Sequence, residues 1–168
     1  MKNGILIGIV IVGILAMFFF GDFSSKDKEK QEFMTFQQFL NEEFFPISKD
    51  CFDHLNQAVD ELYAFTFTDW YVNDNGKDEN LHLQEELEQI EDKVLLEEVK
   101  YERALALKKN ILDQIESLKD TLQLLSNAPR EEDEHSFDQF RLKFINMVDV
   151  LSVEMDEMNH ILENHNKK

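Results

Sequence analysis

Three Glu-x-x-His pairs are the residues best spaced for chemistry: Glu79-x-x-His82, Glu132-x-x-His135 and Glu157-x-x-His160. On a helix, positions three apart share a face. Two such pairs plus two further carboxylates build the di-iron or di-manganese centre of helical bundles. The context argues against that chemistry. The chain carries 35 Asp and Glu among 168 residues, so the pairs arise from composition alone. The first two fall at predicted helix starts. Glu157 and His160 flank the apolar positions 155, 158 and 162, which turns them at least partly towards water. A buried metal needs ligands directed into the core. Cys51-x-x-His54 has half a zinc spacing and no second half. No Ser, His and Asp placement suggests a triad. No catalytic, cofactor-binding or metal-ligating residue is therefore expected.

Glycine narrows the field further. Of five glycines, only Gly76 lies beyond the first 21 residues. A Walker loop or a dinucleotide fingerprint needs several, to bring backbone N–H groups onto phosphate. The oxygen-rich stretch 73–80 (NDNGKDEN) fails as an EF-hand. Aligning Gly76 with the invariant glycine puts Tyr71 and His82 where acids must stand. It reads as a loop, with Asn75-Gly76 supplying a tight turn. Cys51, the only cysteine, can close no disulfide within the chain. It reads as a small buried apolar residue, or as a link between two chains in an oxidising space.

The formal net charge is −18. Nucleic-acid binders carry clustered basic surface, so that class is excluded. Docking on anionic headgroups is disfavoured on the same ground. An acidic surface keeps a protein soluble, or suits a cationic partner.

Gly4–Gly21 is an uncharged apolar run. At ~1.5 Å per helical residue its length is about 27 Å, close to the ~30 Å hydrocarbon core of a bilayer. A cleaved signal peptide would have a shorter run and a small-x-small exit. Here the exit is Phe18-Phe19-Phe20-Gly21-Asp22-Phe23. Residues 1–23 are accordingly expected to be a retained signal anchor, with the membrane contact made by residues 4–21. Lys26, Lys28 and Lys30 favour a cytoplasmic domain on a strict count of basic residues. The Met-Lys-Asn start and Asp22 favour an extracytoplasmic one, which is the orientation expected. Gly4-x3-Gly8 could pair two such helices.

Beyond a short polar linker (24–30), the pattern is helical throughout. Phe33, Phe36, Leu40 and Phe44 begin an apolar stripe that Pro46 should break or kink. Phe52, Leu55, Val59 and Leu62 continue it. Residues 65–72 (FTFTDWYV) alternate like a strand but have no partner, so they read as a helix end. From Leu83 to Leu125 a 4-3 alternation runs without Gly or Pro, interrupted only by Glu97 and Lys108. It predicts one helix over 81–126, about 69 Å long. Ser136-x-x-Gln139 can form a capping box. It opens a third helix carrying Phe137, Phe140, Phe144, Met147, Leu151, Met155, Met158 and Leu162.

The layout, a short N-terminal apolar segment before long helices, superficially resembles the LemA type of envelope protein. The likeness covers only the first twenty or so residues, and it transfers neither function nor sites.

The expected fold is all-α: a transmembrane helix followed by an elongated antiparallel three-helix, coiled-coil-like bundle over 31–165, with a frayed tail at 166–168. In that arrangement the third helix covers only the membrane-proximal part of the second. The outer tip then holds Tyr63, Phe65, Phe67, Trp70 and Tyr71, which become the candidate partner-binding residues. The same rings packing as an ordinary end-cap is the competing reading. The expected function is a non-enzymatic membrane-anchored scaffold or accessory protein, binding a protein partner or a second copy of itself. A sensory or ligand-binding bundle is the alternative, and the di-metal enzyme comes third.

Overall fold

The computed structural model describes residues 25–129 and 133–165, with side chains described over 26–129 and 133–155. The expected anchor at 1–23 and the tail at 166–168 lie outside the described residues. Among the described residues no helix is long and apolar enough to cross a membrane.

The described chain is all-helical: α1 (Ser25–Ala64), α2 (Phe67–Asn73), α3 (Gly76–Leu96), α4 (Glu102–Ser126) and α5 (Glu134–His165). α1 is the frame. It buries Phe33, Phe36, Leu40, Phe44, Cys51, Leu55, Ala58 and Leu62 along one stripe. Their spacing of three, four or a whole two turns keeps them on one helical face. Residues 25–30, expected as a linker, are its first turns. Pro46 does not end the helix, which continues through it to Ala64. Pro46 is solvent-exposed, so water can serve the carbonyl that the missing N–H leaves unpaired.

The expected single helix over 81–126 is two antiparallel helices, joined at residues 97–101. The bundle therefore has four long helices instead of three. The cause lies in the two interruptions of the apolar stripe. At Glu97 the backbone turns extended (φ −64°, ψ 119°). Lys108, on the next helix, folds back and donates to the Leu95 and Glu97 carbonyls at 2.9 and 2.8 Å. It satisfies acceptors that the end of α3 leaves open, where a cation also suits the helix dipole. Glu32 of α1 caps the other side, its Oε1 accepting from the N–H groups of Lys100 and Tyr101 at 2.8 Å each.

Long-range pairs fix the register. Lys93 pairs with Glu43, Lys119 with Glu91 at 2.7 Å, and Arg103 with Glu29 at 3.6 Å. Asn80 donates to the Leu122 carbonyl at 3.0 Å. Hence α3 runs antiparallel to α1 and to α4, while α4 runs parallel to α1. α5 lies against α1 and α4 on the side away from α3. Its start meets Phe67 of α2, and Met155 reaches Gln114 in the middle of α4. α5 thus runs back towards the start of α1. Apolar faces from all these helices close one core, with Leu83, Leu87, Ile90 and Val94 from α3, Ile111, Ile115, Leu118 and Leu122 from α4, and Phe140, Phe144, Val148 and Leu151 from α5. α5 is capped by Asp133, which accepts from Ser136 N–H at 3.4 Å, so Ser136 sits inside the first turn instead of at the cap.

Candidate partner-binding site

The end of the bundle opposite Ser25, here called distal, carries the aromatic residues singled out from the sequence. α1 stops there by a backbone device that can be read bond by bond. Thr66 N–H reaches back five residues to the Glu61 carbonyl at 3.0 Å. Phe65, between them, has φ 59°. This is the Schellman closure, whose left-handed residue is ordinarily glycine because it has no Cβ to clash. A phenylalanine there is strained by about 1–2 kcal/mol.

That residue is also 78% exposed. Its ring contributes little to the core that might offset the strain. What it does meet is Arg141 of α5, whose guanidinium carbon lies 5.8 Å from the ring centroid. Arg141 is in turn held by Asp138 at 3.1 Å. Tyr63, one turn-step before, is 64% exposed, and Val72 on α2 is 67% exposed. Leu142, next to Arg141, is exposed as well.

The five expected site residues divide. Tyr63 and Phe65 face solvent. Phe67 and Trp70 are buried, and Tyr71 is half-buried. Phe67 is the hub: its ring centroid lies 5.4 to 5.9 Å from those of Trp70, Tyr71, Phe137 and Phe140. These are edge-tilted and stacked aromatic contacts, each worth about 0.5–1.5 kcal/mol beyond area burial. The tip is thus sealed by α5, not left as a bare pair of helices. The cause is the turn at 97–101, which reverses the direction of every later helix and brings Phe137 and Phe140 to this end. Arg141 and Leu142 escaped the sequence reading for the same reason; Val72 did so because the 65–72 stretch reads as a helix end and not as a separate helix with its own exposed face. The aromatic pair at the start of α5 was the available signal, since it matches the aromatic stretch at 65–71.

Under the rings lies a buried polar layer. The Trp70 indole sits on Gly76, where an added Cβ would come within 2.9 Å of Trp70 Cε2. The left-handed residue of this turn is Asn75, at φ 67°, so Gly76 is required for space and not for its conformation. Asn80 donates to Ser126 Oγ at 2.8 Å, and Gln84 donates to the same oxygen at 3.0 Å. His54 packs 5.2 Å from the Trp70 ring. Burial lowers its pKa, opposed by the Glu79 charge and the Asn80 side chain. His54 Nε2 and Asn80 Oδ1 nevertheless close no hydrogen bond. Burial raises the Tyr71 phenol, opposed by Ser126 and Asn80. Burial likewise pushes the Cys51 thiol up to about 12, which leaves it protonated and inert as a nucleophile.

The metal motifs are scattered. Glu79 and His82 are exposed, and His82 pairs with Glu86 at 3.6 Å. His135 contacts Gln139. Glu132 and the side chains of Glu157 and His160 lie outside what is described. Among the described residues, no three His, Cys, Asp or Glu side chains gather where a metal ion could sit. Near the opposite end, an open groove of about 570 Å³ runs between α1 and α4, lined by Phe33, Leu107, Glu29 and Arg103 among others.

Comparison with protein-family models, with curated proteins and with solved structures returns no match.

Proposed function

We propose that this chain is a non-enzymatic, membrane-anchored helical scaffold or accessory protein that engages a protein partner at its distal end. The observation that carries the reading is Phe65. A bulky residue held in a glycine conformation, with its ring 78% exposed, is a local cost that the Arg141 contact offsets only in part. Such exceptions concentrate at functional positions. Tyr63, Val72 and Leu142 extend the apolar surface around it, and aromatic side chains on a rigid support are the usual anchors of protein interfaces. The apolar run at 4–21 supports the anchor, and the proposed domain orientation is extracytoplasmic.

The test is site-specific photocrosslinking in the native membrane. A benzophenone side chain at Tyr63 should give one discrete protein adduct. Phe65→Ser should abolish it while the helical content and the melting temperature stay near wild type. An adduct of undiminished yield in Phe65→Ser would overturn the site. A topology reporter placed after Lys168 checks the orientation.

One observation favours a second reading, a ligand-binding bundle: the groove between α1 and α4. It combines an apolar floor at Phe33 and Leu107 with the Glu29–Arg103 pair at 3.6 Å on its rim. A rise in melting temperature with a small-molecule ligand, lost in Arg103→Ala, would move the assignment there.

A further inference from the structure

The surface around Phe65 is lopsided in charge. From residue 60 to residue 73, across the end of α1 and all of α2, stand Asp60, Glu61 and Asp69 with no Lys or Arg. The start of α5 adds Asp133, Glu134 and Asp138 against Arg141 and Lys143, which leaves the two stretches together net acidic. Asp60, Asp69, Asp133, Glu134 and Asp138 are exposed. Arg141 lies over the exposed ring of Phe65 itself. An aromatic ring attracts a cation to its face, and surrounding carboxylates strengthen the local negative potential. The chain supplies that cation from its own α5.

Resting on the partner-binding reading above, we propose that the distal face takes a basic segment of the partner protein: lysine or arginine side chains set around an apolar anchor. The anchor packs on Tyr63 and Phe65. The cations meet the carboxylates of α1, α2 and α5. Arg141 is a built-in placeholder on the Phe65 ring, held by Asp138 and competing with the incoming cation. An acidic partner would meet like charge on three elements, and like-charge juxtaposition disfavours wrong partners.

The experiment uses the full chain in nanodiscs of zwitterionic lipid, with empty discs as the blank. The probe is a dye-labelled lysine-rich peptide with a Leu-Leu-Phe anchor, compared with its twin in which every lysine is glutamate. Binding is read by fluorescence anisotropy. The lysine peptide should bind, more weakly as salt rises. Phe65→Ser should weaken it at least about tenfold, as expected for an interface anchor. Arg141→Ala should tighten it about two- to fivefold, the change carried by an exposed cation–π contact. Equal binding to wild type and Phe65→Ser means diffuse attraction to an acidic surface and overturns the proposal. So does looser binding in Arg141→Ala. Phe65-dependent binding of the glutamate twin alone overturns the basic partner but leaves the docking face standing. Binding of neither peptide likewise removes the basic partner, while the Tyr63 crosslink in native membranes judges the docking face separately.

Discussion

Substituting Phe65 by glycine and, separately, by alanine tests the strained turn with the least ambiguity. Both changes remove the ring, its contact with Arg141 and its small buried area, so those losses cancel in the comparison. What remains is the backbone. At φ 59° alanine keeps the Cβ clash that phenylalanine has, and glycine does not. That relief is worth about 1–2 kcal/mol. Glycine gives back about 0.5–1 kcal/mol through its freer unfolded chain. The difference leaves Phe65→Gly more stable than Phe65→Ala by roughly 0.5–1 kcal/mol. For a domain of this size that amounts to about 2–4 °C in melting temperature. Unfolding followed by circular dichroism at 222 nm, in mild detergent, measures it. The order matters more than the size. In an ordinary helical or extended conformation, alanine would be the more stable by a similar amount. Alanine above glycine would refute the left-handed closure, and with it the argument that the ring is displayed at a cost.

Three further outcomes follow from the packing. Gly76→Ala should destabilise by about 1–3 kcal/mol through overpacking, although Gly→Ala ordinarily favours a helix, because the new methyl meets the Trp70 indole; a shift in tryptophan emission would report the displaced ring. Glu32→Ala should cost about 1–2 kcal/mol, as the loss of a helix cap does, since it strips the N–H groups of Lys100 and Tyr101 of their acceptor; denaturant unfolding checks this, and an unchanged midpoint would deny Glu32 its role in holding the turn. His54 gives a pH signature. Its folded pKa is lowered, so its contribution is fully present above the unfolded value of about 6.5 and is lost as pH falls towards the folded value. Wild type should therefore lose stability relative to His54→Gln as pH falls below about 6.5. A pH-independent difference between the two would mean that the imidazole is not buried in its neutral form.

The helices themselves were legible in the sequence. Leu83, Leu87, Ile90, Val94, Ile111, Ile115, Leu118, Leu122 and Leu125 were all expected on an apolar face, and all are buried. The break among them was not legible, because the 4-3 alternation happens to continue in phase across the turn. Periodicity records which face is buried and is blind to a reversal that preserves phase. The two polar residues on the stripe were the trace of it, and Lys108 turns out to bond the very carbonyls that the turn exposes. Pro46 misled in the opposite sense. A proline on the wet face of a well-packed helix loses a bond that water replaces, while the buried face holds the rod together. At the distal end composition drew attention to the aromatic stretch at 65–71 but not to how its rings divide between core and surface. Which rings face inwards depends on the left-handed turn at Phe65 and on where α5 lands, and no count of aromatic residues contains either.

α1 also has a mechanical meaning. It runs forty residues without interruption, about 60 Å at ~1.5 Å per residue. One end adjoins the apolar N-terminal run, and the other closes at Phe65. A pull between Ser25 and the Phe65 face travels down one column of backbone hydrogen bonds. It crosses no loop and does not need the contacts between helices to carry tension. The ladder lacks one rung, at Pro46, which is where such a strut would yield first. Traction between Ser25 and the far end of α5 acts quite differently. That helix runs back towards the start of α1, so the load would peel it from the bundle pair by pair. The same fold is thus stiff between Ser25 and Phe65 and soft to traction on its last helix.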